Sequence, residues 1–461
     1  CLTCHNHFPT LAEGALNKYE TMPTGIECER CHGPGEVHVR EKLAGQLVDT
    51  SQFIDYTIVN PAKLSRERQM DLCQRCHLQG VAVLKAGKTF YDFKPGLPLA
   101  DYINVFLPRY DNSHEKFIMA SQADRLRRSK CYQQSDMTCI TCHNPHQSVR
   151  QTDARQHNAT CLNCHKSETA CTAPAAALSE AENNCVHCHM PKSGSKDIPH
   201  VRITDHYISK NNTSLSQPIG AAAPATSPRF LGLQLMTKEQ GSPLEMAQGY
   251  LACYDKYIPA AIMLDSAYFY LNAAQVSLTE SYPSWVHYHF NRQDYPAILE
   301  LIPMLDTSSI TDAWTNYRIG EAFLQAGDAK TARQFYRKAV AVMPYHLDFQ
   351  EKLGTAELYL KRNRAATEVF DFVLSENEKR PLALLNRGYL YALDGDLQNA
   401  ENYYNRALAL EPDYTQALLN KAALYMLQQD IDAARNTLEQ VLQIEPDNPE
   451  AQSVLNQLKS K

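Results

Sequence analysis

The chain has 461 residues, a formal net charge of −6 and 44% hydrophobic residues. This length accommodates two or three domains with apolar cores. The slightly acidic balance argues against nucleic-acid binding. No segment approaches the roughly 18 consecutive apolar residues expected of a membrane-spanning helix. Composition therefore predicts globular domains without nucleic-acid partners and without a transmembrane segment.

Six copies of the pattern Cys-x-x-Cys-His lie in the first 189 residues. The pattern is typical of covalent haem c attachment, in which the two thiols bond the porphyrin and the adjacent histidine binds the iron as proximal ligand. Zinc knuckles also use Cys-x-x-Cys pairs, but they do not require the histidine. The sequence therefore predicts six haem c groups. The attachment cysteines are Cys1 and Cys4, Cys28 and Cys31, Cys73 and Cys76, Cys139 and Cys142, Cys161 and Cys164, and Cys185 and Cys188, and the proximal ligands are His5, His32, His77, His143, His165 and His189.

The first attachment cysteine is residue 1. Haem c is attached on the outer side of the energy-transducing membrane, so we expect an export signal to precede Cys1 in the encoded protein. The expected location is extracytoplasmic, either periplasmic or extracellular.

Each iron needs a second axial ligand, and seven further histidines are candidates. His187 is rejected because it lies inside its own attachment loop. The favoured distal candidates are His38, His146, His200 and His206, and the others are His7, His114 and His157. His38 follows a Gly-Pro-Gly turn and His146 follows Asn-Pro, and such rigid turns direct a histidine away from its own haem.

Histidine at both axial positions implies low reduction potentials. It also leaves no open iron, which favours electron carriage over catalysis. Two further cysteines, Cys131 and Cys171, flank the fourth and fifth sites. In an oxidising compartment they are candidates for a disulfide, and the alternative is a pair of buried thiols.

Three stretches resemble a family of exported multihaem c-type cytochromes that carry C-terminal tetratricopeptide repeats. They are residues 28–38 (CERCHGPGEVH), 142–146 (CHNPH) and 188–192 (CHMPK). The haem region, about residues 20–210, is similar to the tetrahaem cytochromes that accept electrons from hydroxylamine oxidoreductase. The resemblance implies that His38 and His146 are distal ligands. The chain differs from this family by having six sites and by starting on one. The lysine-substituted attachment motif of pentahaem nitrite reductases is absent, which argues against that enzyme activity.

Residues 209–243 are rich in small residues and proline, which predicts a linker. Beyond residue 313 the chain has a 34-residue period, typical of tetratricopeptide repeats. The in-phase positions are Gly320, Gly354, Gly388 and Ala422, then Ala332, Ala366, Ala400 and Ala434, then Tyr336, Phe370, Tyr404 and Leu438. Small residues are expected where paired helices approach closely and large ones where they interlock. Looser matches lie upstream of residue 313.

The sequence thus predicts a mostly α protein. A loop-rich hexahaem cytochrome c domain (1–208) and the linker (209–243) precede a tetratricopeptide-repeat α-solenoid (244–461) that ends in a capping helix. Solenoids of this type bind peptides or proteins, by analogy of architecture. In the repeat domain, His287, His289 and His346 are expected to be surface or core residues rather than iron ligands.

The leading functional hypothesis is electron transfer through a row of six haems, with the repeats docking redox partners or other copies of the chain. One alternative is a subunit of a polymeric extracellular cytochrome filament, which is a homopolymer. Another is an enzyme that acts on a small nitrogen or sulfur compound at a haem with one open position.

Overall fold

The computed structural model describes residues 2–15, 17–111, 120–166, 171–194, 198, 201–210 and 228–459. The chain is mostly helical and forms two compact units. The attachment unit comprises Cys1–Thr10 and Thr21–Val276, and the repeat unit comprises Leu11–Glu20 and Ser277–Lys461. None of the helices in the described ranges combines the length and the hydropathy that a membrane span requires.

The attachment unit is built from short helices. They are α1 (Leu2–His5), α2 (Glu29–His32), α3 (Glu36–Leu43), α4 (Arg66–His77), α5 (Gln122–Arg128), α6 (Lys130–Gln133), α7 (Cys139–Cys142), α8 (Ala154–Leu162), α9 (Ala175–Glu180), α10 (Cys185–His189), α11 (Pro243–Lys256) and α12 (Ala261–Ala273). Single 3₁₀ turns cover Pro61–Lys63, Leu99–Asp101 and Val149–Gln151. The predicted loop-rich, helical character of this region is confirmed.

The described residues also form the strands β1 (Thr10–Leu11), β2 (Tyr19–Thr21), β3 (Val81–Leu84), β4 (Ile103–Tyr110), β5 (Lys192–Gly194), β6 (Arg202–Thr204) and β7 (Phe230–Leu235). β3, β4 and β7 form an antiparallel sheet with β4 in the centre. Val81 is opposite Phe106 in one pair and Phe106 is opposite Leu235 in the other. Ile103, Val105 and Leu107 belong to the apolar core that also contains Met70 and Leu99 of the haem-attachment segment.

The observed boundary differs from the predicted linker and domain limits. β7 lies within the stretch expected to be a linker, yet it pairs with β4 along Phe106 to Tyr110. Helix α11 begins at the capping residue Ser242, and its Glu245 accepts hydrogen bonds from Lys85 and Asn104. Residues 228–276 therefore belong to the attachment unit, because backbone pairing and these polar contacts join them to β3 and β4.

The repeat unit is a series of paired helices. They are α13 (Leu278–Asn291), α14 (Tyr295–Leu301), α15 (Ala313–Gln325), α16 (Ala329–Val342), α17 (Leu347–Tyr359), α18 (Asn363–Glu376), α19 (Pro381–Leu393), α20 (Leu397–Leu410), α21 (Thr415–Leu427), α22 (Ile431–Ile444) and α23 (Pro449–Lys459), with 3₁₀ turns at Ile302–Met304 and Thr307–Ser309. Each helix from α15 to α22 packs against the next one, and α23 packs on α22. This is the predicted tetratricopeptide solenoid.

The in-phase glycines allow paired helices to approach closely. A Cβ atom added to Gly320 would lie 2.7 Å from the ring of Tyr336, and one added to Gly388 would lie 2.6 Å from the ring of Tyr404. Both rings are fully or almost fully buried. The 34-residue spacing of small and large residues therefore has the structural cause that the sequence predicts.

A segment from the N-terminal part of the chain belongs to the repeat unit. Leu11–Glu20 lies in sequence between the first and second attachment motifs, yet it packs with the repeats. The Lys18 ammonium is 2.7 Å from the Glu376 carboxylate and 4.3 Å from the centre of the Tyr345 ring. The sequence pattern of the motifs contains no signal for this contact.

Candidate functional site

Four of the six Cys-x-x-Cys pairs lie on short helices: α2 and its capping residue Cys28, α4, α7 and α10. Helical spacing of three places both sulfurs of a pair on one face, which suits a single porphyrin edge. Local capping positions these helices. The α7 helix begins with a reciprocal Thr138–Thr141 capping box, and Asn184 caps α10 by accepting from the Val186 N–H.

Attachment motifs that are separate in sequence are neighbours in the structure. Helix α1 packs on α4, and the Cys4 and Cys76 thiols perturb each other's pKa, so the first and third motifs are adjacent. Helix α4 likewise packs on α7, and α8 packs on α10. Helices α7 and α8 connect the fourth and fifth motifs. In the described chain, the motifs therefore form a continuous series in which the third, fourth, fifth and sixth are successive neighbours and the first contacts the third.

These contacts perturb the thiols. The interaction between the two thiols lowers the pKa of Cys4 to about 5 and raises the pKa of Cys76. The neighbouring Cys73 thiol similarly lowers the pKa of Cys139. Burial raises the pKa of Cys161 to about 11. The shifts show that sulfurs from separate motifs share partly desolvated sites.

The histidine after the fourth motif faces the proximal histidine of the second. The ring centres of His32 and His146 are 5.9 Å apart and their planes differ by 14°. An iron bound by two imidazoles, about 2 Å from each nitrogen, separates the ring centres by roughly 6 Å. The gap between these rings therefore fits a haem iron.

The hydrogen bonds of the imidazoles also fit a haem. His32 and His189 direct Nδ1 to the carbonyl oxygens of Val59 and Ser209, each at 2.8 Å, and His206 directs Nδ1 to the Thr204 carbonyl at 3.1 Å. A carbonyl partner for one ring nitrogen fixes the tautomer and leaves Nε2 as the ligand, as at other histidine-ligated metals. The chain thus presents imidazole Nε2 atoms suited to axial ligation.

Two candidate ligands face His143, the proximal histidine of the fourth motif. The ring centre of His157 is 5.7 Å away with planes at 68°, and that of His206 is 6.0 Å away with planes at 31°. Burial lowers the pKa of His143 and of His206, and a neighbouring His77 contributes to both shifts. Lowered values favour the neutral imidazole, which is the form that binds iron.

His38 lies beside the second attachment motif. It lines a cleft of about 630 Å³ together with Cys28, His32 and Gly33. Its Nδ1 lies 2.9 Å from Thr57 Oγ1. Gly33 follows the motif with φ +78°, a left-handed conformation that glycine adopts without strain. The structure therefore places His38 on the cleft that borders the second attachment motif, and its role as a distal ligand stays a prediction.

The Nε2 atom of His7 lies 3.4 Å from Glu27 and 3.7 Å from Glu29, while its Nδ1 atom is buried and has no hydrogen-bond partner.

Among the described residues, no histidine ring faces His5, His77, His165 or His189 at the separation seen for His32 and His146. Cys1, His114 and His200 lie outside the described residues.

The candidate disulfide between Cys131 and Cys171 is not formed in this structure, in which Cys131 is a half-buried and Cys171 an exposed free thiol. The physical reason lies in α6, which carries Cys131 close enough to Cys142 and Cys161 to affect the pKa of each. Cys131 is therefore a neighbour of the fourth and fifth attachment sites rather than a partner of Cys171.

The sequence prediction missed the groups that orient the histidines. The carbonyls of Val59, Thr204 and Ser209 leave no side-chain signal in the sequence. Arg125 and Asp205 form a buried ion pair beside His206, with N–O distances of 2.8 and 2.6 Å. The Asp-His pair at 205–206 was a visible signal, but its arginine partner lies 80 residues away.

Family models match the two predicted parts of the chain. A doubled CXXCH motif covers residues 133–170, and tetratricopeptide repeats cover residues 315–345, 351–414 and 391–458. The first match supports haem c attachment at the fourth and fifth sites. The others support the helical repeats.

A multiheme cytochrome, MtrA of Shewanella baltica strain OS185, is 25% identical over 219 residues. The similarity covers 45% of this chain and 56% of that protein, so the chain matches little more than half of this relative.

Two solved structures illustrate the similarity of the repeats to known folds. PilF of Pseudomonas aeruginosa is 19% identical with a TM-score of 0.37, covering 47% of this chain and 96% of PilF. A thermophilic tetratricopeptide-repeat protein of Thermus thermophilus is 19% identical with a TM-score of 0.32, covering 47% of this chain and all of that one (100%). The likeness concerns the repeat fold and says nothing of function.

Proposed function

We propose that this chain, a multihaem cytochrome with tetratricopeptide repeats, carries electrons through a row of six covalently bound haems outside the cytoplasm. The observation that supports the proposal is the successive packing of the helices that bear the motifs, α1 on α4, α4 on α7, α7 on α8 and α8 on α10. When bound, haem c supplies one-electron redox chemistry. Neighbouring attachment sites keep successive haems close, which electron tunnelling requires.

The protein supplies the axial ligands that join neighbours. His146 follows the fourth motif directly and faces His32 of the second motif. One short stretch of chain therefore anchors one haem and caps another, so that two haems share a single rigid support. Coordination by two histidines leaves the iron no open position for substrate, which supports a carrier rather than an enzyme.

The repeat unit is proposed to dock redox protein partners or other copies of this chain. Successive repeats align equivalent side chains along one surface, and three of these side chains are exposed and apolar: Tyr359 (68% exposed), Leu393 (50%) and Leu427 (66%). They are spaced 34 residues apart at the ends of α17, α19 and α21. Tetratricopeptide repeats bind proteins through such extended surfaces.

The proposal is tested on the protein matured in a host that attaches haem c. Intact mass should show six haems, and redox titration followed by visible spectroscopy should show that all six accept electrons at low potential. In stopped-flow absorbance measurements, the reduced protein should pass electrons from all six haems to a small oxidised redox protein. A count below six, or a persistent high-spin ferric signal in the wild-type protein, contradicts the proposed carrier.

A further inference from the structure

We propose that the buried Arg125–Asp205 ion pair is a positioning device that holds His206 as the second axial ligand of the haem attached at Cys139 and Cys142. The inference rests on the proposed function, because it concerns one of the six haems. The ring distances alone do not distinguish the two candidate ligands, because both His157 and His206 face His143. The ion pair assigns this role to His206.

The ion pair is deeply buried and has two hydrogen bonds. Arg125 Nε donates to Asp205 Oδ1 at 2.8 Å, and Nη2 donates to Oδ2 at 2.6 Å. The two side chains are only 4% and 11% exposed. This parallel geometry uses the planar guanidinium fork, which a lysine cannot reproduce. A carboxylate held at both oxygens has a fixed orientation.

Hydrogen bonds of Asp205 also hold the backbone on both sides of His206. The Asp205 N–H donates to the Pro191 carbonyl at 2.9 Å, and the Tyr207 N–H donates to Asp205 Oδ1 at 2.9 Å. The Arg125 guanidinium also lies 5.2 Å from the centre of the Tyr207 ring. His206 is therefore the central residue of a segment whose two flanking residues both contact the arginine.

The backbone completes the alignment of the imidazole. β6 ends at Thr204, and the Thr204 carbonyl accepts from His206 Nδ1 at 3.1 Å. Nε2 is then left for the iron, as expected when a carbonyl fixes the tautomer of a ligand. His157, whose ring centre is 5.7 Å from that of His143, has no corresponding carbonyl contact among the hydrogen bonds of the described residues.

The energetics of buried ions explain why this pair points to positioning rather than to stability. Burying two charges costs much of what their attraction returns, so an apolar pair of similar size often stabilises a fold as well or better. A buried arginine and aspartate beside a ligand therefore have a different use, which is geometric specificity. The hydrogen bonds of the charged pair fix the orientation of both side chains, whereas an apolar pair of similar size would only fill the same space.

The test compares Asp205→Asn and Arg125→Lys with the wild-type holoprotein by electron paramagnetic resonance of the ferric haems. Both variants should retain six haems by mass, and one low-spin signal should be lost or shifted, more strongly in Asp205→Asn. The matched control is Arg109→Met, which breaks the 2.8 Å ion pair of Arg109 with Asp124, the neighbour of Arg125 on α5. It should leave all low-spin signals as in the wild type.

A second pair of variants keeps the test independent of how well the ion-pair variants fold. His206→Met should convert one haem to His/Met ligation and raise its potential, because methionine ligation does so. His157→Met should leave the ligation and the potential of the haem attached at Cys139 and Cys142 unchanged. The reverse result, or a wild-type spectrum in six-haem Asp205→Asn, would overturn the assignment.

The outcome is separable from that of the proposed function. Peptide mass identifies whether the segment with Cys139 and Cys142 carries haem. If other sites lack haem, the six-haem row fails while His206 can still be tested as ligand of this one. If all six haems are present and His206→Met changes none of them, the positioning inference fails alone.

Discussion

The close approach of paired repeat helices gives a stability prediction for Gly388→Ala. Gly388 lies in α19, where the added Cβ would be 2.6 Å from Tyr404 Cε1, 2.8 Å from Cδ1 and 3.1 Å from the Ala400 carbonyl oxygen. Carbon atoms in ordinary contact are about 3.5–4.0 Å apart. The ring is 1% exposed, so it must move by about 1 Å within a packed interior.

Two opposing terms set the magnitude. Overpacking of a well-packed core costs about 1–3 kcal/mol, and a displacement of this size against a rigid ring belongs at the upper end. Replacing glycine by alanine inside a helix returns about 1 kcal/mol. We therefore expect Gly388→Ala to lower the free energy of unfolding by about 2 kcal/mol.

Chemical unfolding of the full chain, followed by far-UV circular dichroism, measures this change. The fourth repeat supplies the control, because Ala422 and Leu438 occupy the equivalent positions and pack in one core cluster. In a Tyr404→Leu background, Gly388→Ala should cost little or become stabilising. If Gly388→Ala is as stable as the wild type, or if its cost is equal in both backgrounds, steric contact with Tyr404 is not the reason for glycine at this position.

Three further predictions concern the haem sites and pH. Replacing Cys28 and Cys31 by alanine should lower the intact mass by one haem, and an unchanged mass would contradict attachment there. His146→Ala should produce one high-spin ferric haem, and in the Cys28/Cys31 variant it should produce none; a new signal in that background would show that His146 caps a different haem. The His346 ring stacks on Phe349 with the ring centres 3.9 Å apart, and burial lowers the pKa of His346. As the pH falls, this histidine is therefore protonated in the unfolded chain before it is protonated in the folded one. The contribution of the neutral, buried His346 to stability is therefore fully present above the pKa of about 6.5 that histidine has in the unfolded chain, and it is lost as the pH falls below that value. His346→Phe should flatten the dependence of the thermal midpoint on pH in this range. An unchanged slope would exclude His346 as the source of that dependence.

Local patterns accounted for much of the architecture. The contact of Gly388 with Tyr404 follows from residues 16 apart within one repeat, a spacing that recurs every 34 residues and is therefore visible in a single sequence. The attachment helices are similarly local, since a Cys-x-x-Cys pair needs only one helical turn. By contrast, no strand of the central sheet was predicted. The residues of β7 were assigned to the linker because the surrounding sequence is rich in proline and small residues. The strand with which β7 pairs, β4, lies about 125 residues earlier in the sequence.

The sequence by itself determined the chemistry of the chain: its cysteine and histidine spacing predicts haem c, and its 34-residue period predicts a helical solenoid. Both are properties of short segments, which their own covalent geometry and helical periodicity largely specify. Only the tertiary structure decided that His146 faces His32, that Arg125 holds Asp205 beside His206, and that Leu11–Glu20 packs with the repeats. These contacts join residues far apart in sequence, and their partners are selected by burial and packing, which no local pattern encodes.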